Sequence, residues 1–134
     1  SVSEVSHGRS VSGAFFSPIT GSRILTTAYD DRIRILKQDE HGKLKVESSI
    51  KHNNHTGRWL STFKAVWHPR REDVFSVGSM DRPRQIHLMD VSGRLLRRLM
   101  DEDCLSSVCS ITAWHPSRDV LVGGNSSGRL HVFM

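Results

Sequence analysis

Short stretches in which apolar and polar residues alternate recur along the chain. Three of them alternate with a period of two, at residues 33–36, 86–89 and 130–133. This is the spacing of a β-strand with one buried face. A stretch rich in β-branched residues precedes each of them, at 23–27, 74–78 and 120–123. The pattern predicts an all-β protein built from short strands.

One tripeptide type, an aromatic residue followed by Ser or His and then by Pro, occurs three times. The copies begin 51 and 47 residues apart and are Phe16-Ser17-Pro18, Trp67-His68-Pro69 and Trp114-His115-Pro116. Strand-like stretches come before the three copies, at 11–16, 62–67 and 110–114. Because His68 and His115 occupy the same repeat position, we expect them to bond the turn backbone rather than to act in catalysis.

These repeats divide the chain into similar units. Fourth strands are predicted only in the first two units, at 44–50 and 95–100. We therefore predict one domain over 1–134 with units at about 8–50, 58–100 and 107–134, the third lacking its outer strand. Four antiparallel strands in about 40 to 45 residues is the period of a WD-type blade, and the chain resembles the WD-repeat family over essentially its whole length.

The resemblance to WD repeats implies a β-propeller. Propellers close with about 4 to 8 blades, so three units are too few for a ring. We expect the chain to be the C-terminal part of a larger propeller of about seven blades. The missing last strand of the third unit is expected to come from an upstream segment.

Composition narrows the classes of function. The chain has 134 residues, a net charge of +5 and a pI near 9.8, which suits nucleic acid or another acidic partner. Its apolar runs are far shorter than the roughly 20 residues of a membrane-spanning helix, so no membrane partner is expected. Cys104 and Cys109 lie too close in sequence for a disulfide framework and are expected to be reduced thiols.

Connections at the two ends of the blades can be assigned because strand direction alternates along an antiparallel sheet. We call one end the upper face, and it is predicted to carry 28–32, 51–61, 79–84, 101–108 and 125–128. The other end, the lower face, is predicted to carry the turns after the three Pro residues and the connections at 37–43 and 90–94.

Charge is unevenly distributed among these connections. The segment 51–71 has no acidic residue, and its cations and histidines are Lys51, Arg58, Lys64, Arg70, Arg71, His52, His55 and His68. By contrast, the next connection between units is acidic, with Asp101-Glu102-Asp103. A basic area, if present, should be centred on the middle unit.

The stretch 52–60 is longer than a turn requires and joins Arg58 to Trp59. Arginine can hold a phosphate in a bidentate fork, and tryptophan can stack on a base or enter an opened base step. Alternatively, Trp59 is a staple folded onto the blade core and Arg58 is its solvated neighbour. Both interpretations remain open from the residues alone.

Several motifs carry a closer resemblance within the WD-repeat family. They are Gly57-Arg58-Trp59, Lys64-Ala65-Val66-Trp67-His68-Pro69, Val77-Gly78-Ser79 and the C-terminal stretch 123–134. With them the chain resembles the nuclear WD-repeat proteins related to the WD-repeat subunit of the damaged-DNA-binding heterodimer. That resemblance implies a nuclear location, a role in the DNA-damage response and a place in ubiquitin ligases built on cullin-4.

The same resemblance implies which residues contact DNA. A wedge that enters the lesion in the damage-binding relative aligns with Gly57, Arg58 and Trp59, and a polar DNA contact aligns with Tyr29. Contact with the cullin-4 adaptor is expected through blades outside this chain. The full set of candidate DNA contacts is Tyr29, Lys51, His52, Asn53, Gly57, Arg58, Trp59 and Lys64.

A protein-interaction scaffold without DNA contact is the second interpretation, in which the acidic loop 101–103 and nearby basic loops bind protein partners. Catalytic residues are not expected, because no nucleophile motif or phosphate-binding loop occurs. His52 and His55 have the spacing of two metal ligands, but no third ligand of suitable type lies nearby, so neither a metal nor a cofactor is expected.

Overall fold

The structure is a computed structural model that describes residues 3–134. Its strands are β1 (Val11–Phe16), β2 (Arg23–Ala28), β3 (Arg32–Gln38), β4 (Leu44–Lys51), β5 (Val66–Trp67), β6 (Val74–Gly78), β7 (Gln85–Asp90), β8 (Leu95–Met100), β9 (Cys109–Trp114), β10 (Leu121–Asn125) and β11 (Leu130–Phe133). Within the described residues no helix is long and apolar enough to cross a membrane.

The strands form three separate antiparallel sheets in chain order. The first sheet is β1-β2-β3-β4, the second is β5-β6-β7-β8 and the third is β9-β10-β11. Each strand pairs with its neighbours in sequence, as in the blades of a WD-repeat propeller. The predicted all-β fold of two four-stranded blades and one three-stranded blade is confirmed.

One predicted strand is wrong in length. The sequence predicts the first strand of the middle blade over 62–67, whereas β5 contains only Val66 and Trp67. The backbone before β5 bonds to side chains of the first blade instead of pairing with β6. Ser12 Oγ donates to the Phe63 carbonyl at 2.7 Å, and the Ala65 N–H donates to Thr27 Oγ1 at 2.9 Å.

The hydrophobic core lies between adjacent blades. Between the first and second blades it includes Leu25, Ile33, Ile35, Ile50, Phe63, Trp67, Phe75 and Val77. A smaller cluster between the second and third blades contains Ile86, Leu99, Leu105, Cys109 and Leu121. Close approach of the blades requires a glycine at Gly78, because a Cβ there would lie 2.0 Å from the Cys109 carbonyl oxygen.

His68 and His115 have the same structural role, as their repeat position predicts. His68 Nδ1 accepts the Arg70 N–H at 3.1 Å. His115 Nδ1 accepts the N–H groups of Ser117 and Arg118, both at 3.1 Å. The prediction that both histidines bond the turn backbone is therefore confirmed.

Both cysteines are free thiols. Cys104 is exposed, whereas Cys109 is buried between the second and third blades. Burial raises the pKa of the Cys109 thiol to about 11. Cys109 is thus a protonated packing residue at neutral pH.

Candidate nucleic-acid interface

The connection from β4 to β5, residues 52–65, crosses from the first blade to the second at the upper face. In its first half, burial alternates from one residue to the next. His52, Asn54 and Thr56 are buried, whereas Asn53 and His55 are exposed. The alternation separates residues that hold the connection in place from residues that face solvent.

Asn54 is the central anchor of this connection, with only 2% of its surface exposed. Its Nδ2 donates to the carbonyls of Ala28 at 2.8 Å and Arg32 at 3.2 Å, at the two ends of the β2–β3 turn. Its Oδ1 accepts from His52 Nδ1 at 2.7 Å. The side-chain amide therefore satisfies backbone carbonyls that would otherwise be buried without a donor.

Asp31 binds the same connection from the β2–β3 turn. Its Oδ1 accepts the Asn54 N–H at 2.9 Å and His55 Nδ1 at 2.8 Å. These two donors, the backbone N–H first, lower the pKa of the Asp31 carboxyl. Asp31 also has a positive φ of 59°, in the region that L-residues rarely adopt, so the turn is held in a specific shape.

The neighbouring Asp30 forms an ion pair within the chain. Both of its oxygens accept from the Arg34 guanidinium, and its Oδ2 accepts the Gly8 N–H at 3.1 Å. The Arg34 guanidinium is the main reason why the pKa of Asp30 is lowered. Asp30 is therefore paired with a cation, whereas Asp31 keeps its negative charge beside the candidate interface and contributes to its architecture.

Tyr29 supports the connection rather than projecting from the upper face. Its hydroxyl shares a hydrogen bond of 3.1 Å with Thr56 Oγ1. Its ring lies edge-on to the His55 ring, with centroids 5.7 Å apart. Tyr29 therefore fixes the point at which the connection turns toward its tip.

His52 lies behind the connection and is 8% exposed. Its ring contacts the rings of Phe63 and His87 edge-on, with centroids 5.8 Å away in each case. Burial is the main cause that lowers the pKa of His52, and burial likewise lowers the pKa of His87. His52 is therefore neutral at physiological pH and acts as an anchor through Asn54.

The tip of the connection consists of Gly57, Arg58 and Trp59. Gly57 has a φ of +75°, which glycine adopts without steric cost. The Arg58 guanidinium carbon lies 5.5 Å from the centroid of the Trp59 ring, within cation–π range. Trp59 is 84% exposed, so the interpretation of Trp59 as a staple folded onto the core is wrong. Leu60 and Phe63 pack against the core in its place.

Three further candidates lie on the solvent side of the same region. Lys51 and Asn53 are exposed at the start of the connection, where β4 ends. Lys64 is exposed just before β5, and its side chain passes close to Gly13 of β1. These residues provide two positive charges and one amide beside the Arg58–Trp59 tip.

The basic run seen in the sequence is divided between the two faces. Arg70 and Arg71 follow β5, so they lie at the lower end of the blade. Arg70 forms an ion pair with Asp119, and Arg71 forms one with Asp73 at 2.9 Å. The basic area on the upper face is therefore limited to the part of the segment before β5.

The connection from β8 to β9, residues 101–108, occupies the same position one blade later. Its acidic residues 101–103 are exposed, whereas Leu105 and Val108 are buried. Asp101 Oδ1 accepts the N–H groups of Asp103 and Cys104, both at 3.0 Å. The acidic loop is thus a short, hydrophobically anchored turn.

Sequence reasoning missed the residues that shape the interface. Asp31, Asn54 and Thr56 hold the connection through contacts with the β2–β3 turn, a segment distant in sequence. Residues 52–56 are all polar, so no alternation of apolar and polar residues marked the buried ones in the sequence. Within 3–134 no cluster of three or more His, Cys, Asp or Glu side chains is arranged to hold a metal ion.

Comparison with known proteins places the chain among WD-repeat proteins. It is 54% identical over 128 residues to WD repeat-containing protein 76 of Xenopus laevis, covering 95% of this chain and 22% of that protein. It is 48% identical over 134 residues to WD repeat-containing protein 76 of Mus musculus, covering 99% of this chain and 21% of that protein. No protein-family model matches the chain.

A more distant relative has a name that states a ligand. DNA damage-binding protein CMR1 of Cryptococcus neoformans is 34% identical over 145 residues, covering 95% of this chain and 24% of that protein. The chain therefore spans between a fifth and a quarter of the length of these curated relatives.

Proposed function

Since this chain consists of WD-repeat blades homologous to WD repeat-containing protein 76 over nearly its whole length, we propose that it binds DNA through the upper face of its middle blade. The proposal extends to a nuclear role in the response to DNA damage. The relatives named DNA damage-binding protein CMR1 support this proposal.

The exposed Arg58–Trp59 pair is the observation that carries the proposal. A tryptophan that is 84% exposed loses the free energy that burial of its ring would contribute. Its loop is nevertheless anchored by Asn54, Asp31 and Tyr29, so the ring is presented on a fixed support. Presenting a large aromatic ring and a guanidinium together on a rigid tip suits a ligand with stacked bases and phosphates.

Each candidate residue has a role in this proposal. Arg58 binds a phosphate, Trp59 stacks on a base or enters a base step, and Gly57 permits the turn that precedes them. Lys51 and Lys64 contribute further phosphate contacts, and the Asn53 amide bonds to the sugar-phosphate backbone or to a base edge. His52 and Tyr29 hold the connection in position through their hydrogen bonds to Asn54 and Thr56.

The proposal also includes the setting in which the protein acts. We propose that the intact protein is a substrate receptor or scaffold in a cullin-4 type ubiquitin ligase, with its adaptor contact on other blades. The support is the family resemblance of the motifs around Gly57 and Lys64. Co-purification of the full-length protein with the cullin-4 adaptor from nuclear extract tests this part separately from DNA binding.

DNA binding by the full-length protein can be measured by fluorescence anisotropy on a duplex of about 30 base pairs over a series of salt concentrations. Loss of one phosphate contact lowers the slope of log K against log salt by about 0.9, and this is the expected effect of Arg58→Ala. Loss of one stacked base costs about 1 to 3 kcal/mol, and this is the expected effect of Trp59→Ala.

The matched control is Arg118→Ala, which removes an exposed arginine from the lower face. Its slope should equal that of the wild type. Because Trp59 is exposed, Trp59→Ala should leave the melting temperature unchanged. Absence of DNA binding by the wild-type protein at physiological salt would overturn the proposal.

The second candidate function is a protein-interaction scaffold without DNA contact. The exposed acidic turn at 101–103, held by buried Leu105, favours a basic protein partner at this edge of the upper face. In that case the full-length protein should retain no duplex at physiological salt. Neutralising Glu102 and Asp103 should then release a bound protein partner in pull-down experiments.

A further inference from the structure

The β6–β7 connection, residues 79–84, lies beside the start of the 52–65 connection on the upper face. Lys51 and Asn53 line one cleft together with Met80 and Asp81 of this connection. Two arginines, Arg82 and Arg84, follow immediately in the chain. They lie on the same face as the Arg58–Trp59 tip but belong to a different loop.

The β6–β7 connection is held in one shape by buried polar groups. Ser79 Oγ accepts the Asp81 N–H at 3.0 Å, and Gln85 Nε2 donates to the Pro83 carbonyl at 2.8 Å. Ser79 and Gln85 are both buried. The two arginines are therefore presented on a braced turn rather than on a loose loop.

The Arg84 guanidinium has too few acceptors. Its Nη1 donates to the Met80 carbonyl at 2.8 Å, but its buried Nε has no acceptor among the described residues. Burial, followed by the nearby charge of Arg82, lowers the pKa of Arg84. A partly desolvated cation next to a second cation is electrostatically unfavourable without an anion.

No carboxylate of the described residues forms a salt bridge with Arg82 or Arg84. Two acids lie nearby. The pairing of Gln85 with Met100 brings the next residue, Asp101, alongside Arg84. The Asp101 carboxylate, however, accepts the N–H groups of its own turn. Asp81 lies 3.5 Å from His87 Nε2 instead.

We propose that Arg82 and Arg84 form a second phosphate-binding position for the nucleic acid that the Arg58–Trp59 tip contacts. This inference rests on the proposed DNA-binding function. A phosphate group can bind the solvent-accessible guanidinium nitrogens and offsets the repulsion between the two guanidinium groups. A backbone contact on a second loop fixes the orientation of the duplex, while the tip contacts the bases.

The experiment uses the full-length protein and the same duplex of about 30 base pairs. Because each lost phosphate contact lowers the salt slope by about 0.9, the double variant Arg82→Ala/Arg84→Ala should lower it by about 2. Arg84→Lys keeps the positive charge, so its salt slope should lie closer to that of the wild type than the slope of Arg84→Ala does. The lower-face variant Arg118→Ala is the control with the same chemical change, and its slope should equal that of the wild type.

Folding of each variant is checked by its melting temperature. Should Arg84→Ala fail to fold, the exposed Arg82→Ala alone should lower the slope by about 1. If Arg82→Ala and the double variant both keep the wild-type slope while Arg58→Ala lowers it, this inference is overturned and the proposed function stands. If the wild-type protein binds no DNA, both fail. An effect seen only with an acidic protein partner would likewise overturn the assignment to nucleic acid.

Discussion

The two connections between blades occupy equivalent positions but are anchored by different forces. The first half of 52–65 is held by buried polar side chains, chiefly Asn54 and His52. The 101–108 connection is held by buried Leu105 and Val108. The 52–65 connection carries an exposed aromatic and cationic tip, whereas the 101–108 connection exposes acidic residues.

This difference shows how a blade can expose a tryptophan. A hydrophobic anchor would draw the largest apolar side chain of a loop into the core, because burial of its surface is favourable. Hydrogen bonds to the β2–β3 turn hold residues 52–56 without using Trp59. Polar anchoring of residues 52–56, together with burial of Phe63 after the tip, leaves the Trp59 ring exposed, whereas the 101–108 connection exposes its acidic residues.

The largest effect is expected at the hydrophobic anchor of the acidic connection. Leu105→Ala removes a buried side chain and leaves a cavity, which should reduce the free energy of unfolding by about 2–5 kcal/mol. Denaturant unfolding of the full-length protein measures the loss. Leu96→Ala in β8 is the control, since Leu96 is largely exposed and its truncation should cost less. Equal losses at both positions would contradict hydrophobic anchoring.

The polar anchor of the other connection should be the next most sensitive site. Asn54→Ala leaves the Ala28 and Arg32 carbonyls and the His52 imidazole without their partner, at a cost of about 1–3 kcal/mol in unfolding free energy. The exposed neighbour offers a control: Asn53→Ala should change stability by less than about 0.5 kcal/mol. Hydrogen exchange should increase across residues 52–56 in Asn54→Ala, whereas Asn53→Ala should affect only the His55 N–H, which Asn53 Oδ1 accepts at 3.1 Å. An unchanged exchange rate in Asn54→Ala would count against this anchor.

Acidification should loosen the polar connection and spare the hydrophobic one. Burial lowers the pKa of His52 and His87 below 6.5 in the folded chain, while the unfolded chain takes up protons near that pH. The folded state therefore loses stability as pH falls below about 6.5. Near His87 the other polar groups are Asp81, Gln85 and Arg98. Near His52 they are Asn54, Asp81 and Asp31.

Melting temperatures measured in buffers from about pH 7.5 to about pH 5.5 test this dependence of stability on pH. His87→Gln should flatten the decline. His41→Gln, at an exposed position of the lower face, should leave it unchanged. A decline of equal steepness in wild type and His87→Gln would contradict the assignment.

The smallest effect is expected from the charge of the acidic connection. If DNA lies across the upper face, Glu102→Gln/Asp103→Asn should raise its affinity a few-fold, because exposed charges interact weakly through water and salt. The control Glu40→Gln removes an exposed acid from the lower face and should leave the affinity unchanged. Binding titrations at low salt measure the difference, and an equal gain from both variants would mean that only net charge matters.

Particular residues show how far the fold could be predicted from the sequence. The alternation at 33–36 and 130–133 and the three aromatic-x-Pro copies located every blade, because strand period and turn chemistry are local properties. The failure at 62–65 has a nonlocal cause. Ser12 and Thr27 lie far away in sequence, and their hydroxyls take the backbone that would otherwise pair with β6.

The candidate interface shows the same limit. Composition singled out Arg58 and Trp59, but no local pattern could decide whether Trp59 was exposed or buried. His52 was grouped with the surface contacts, whereas it is buried and bonds to Asn54. Tyr29 is half-buried and bonds to Thr56, and its contact with DNA stays a prediction. Arg84 gave no signal at all, since an arginine that lacks acceptors is recognised only when its neighbours are known.

The amino-acid sequence by itself determined the number of blades, their strand order and the missing outer strand of the third. These follow from hydrophobic periodicity and turn residues, which act over a few positions. Only the tertiary structure decided which of the polar and aromatic residues in 52–60 face solvent. That outcome depends on hydrogen bonds of Asn54 and Asp31 that join the connection to the β2–β3 turn of the first blade, and the partners in such bonds lie far apart in sequence.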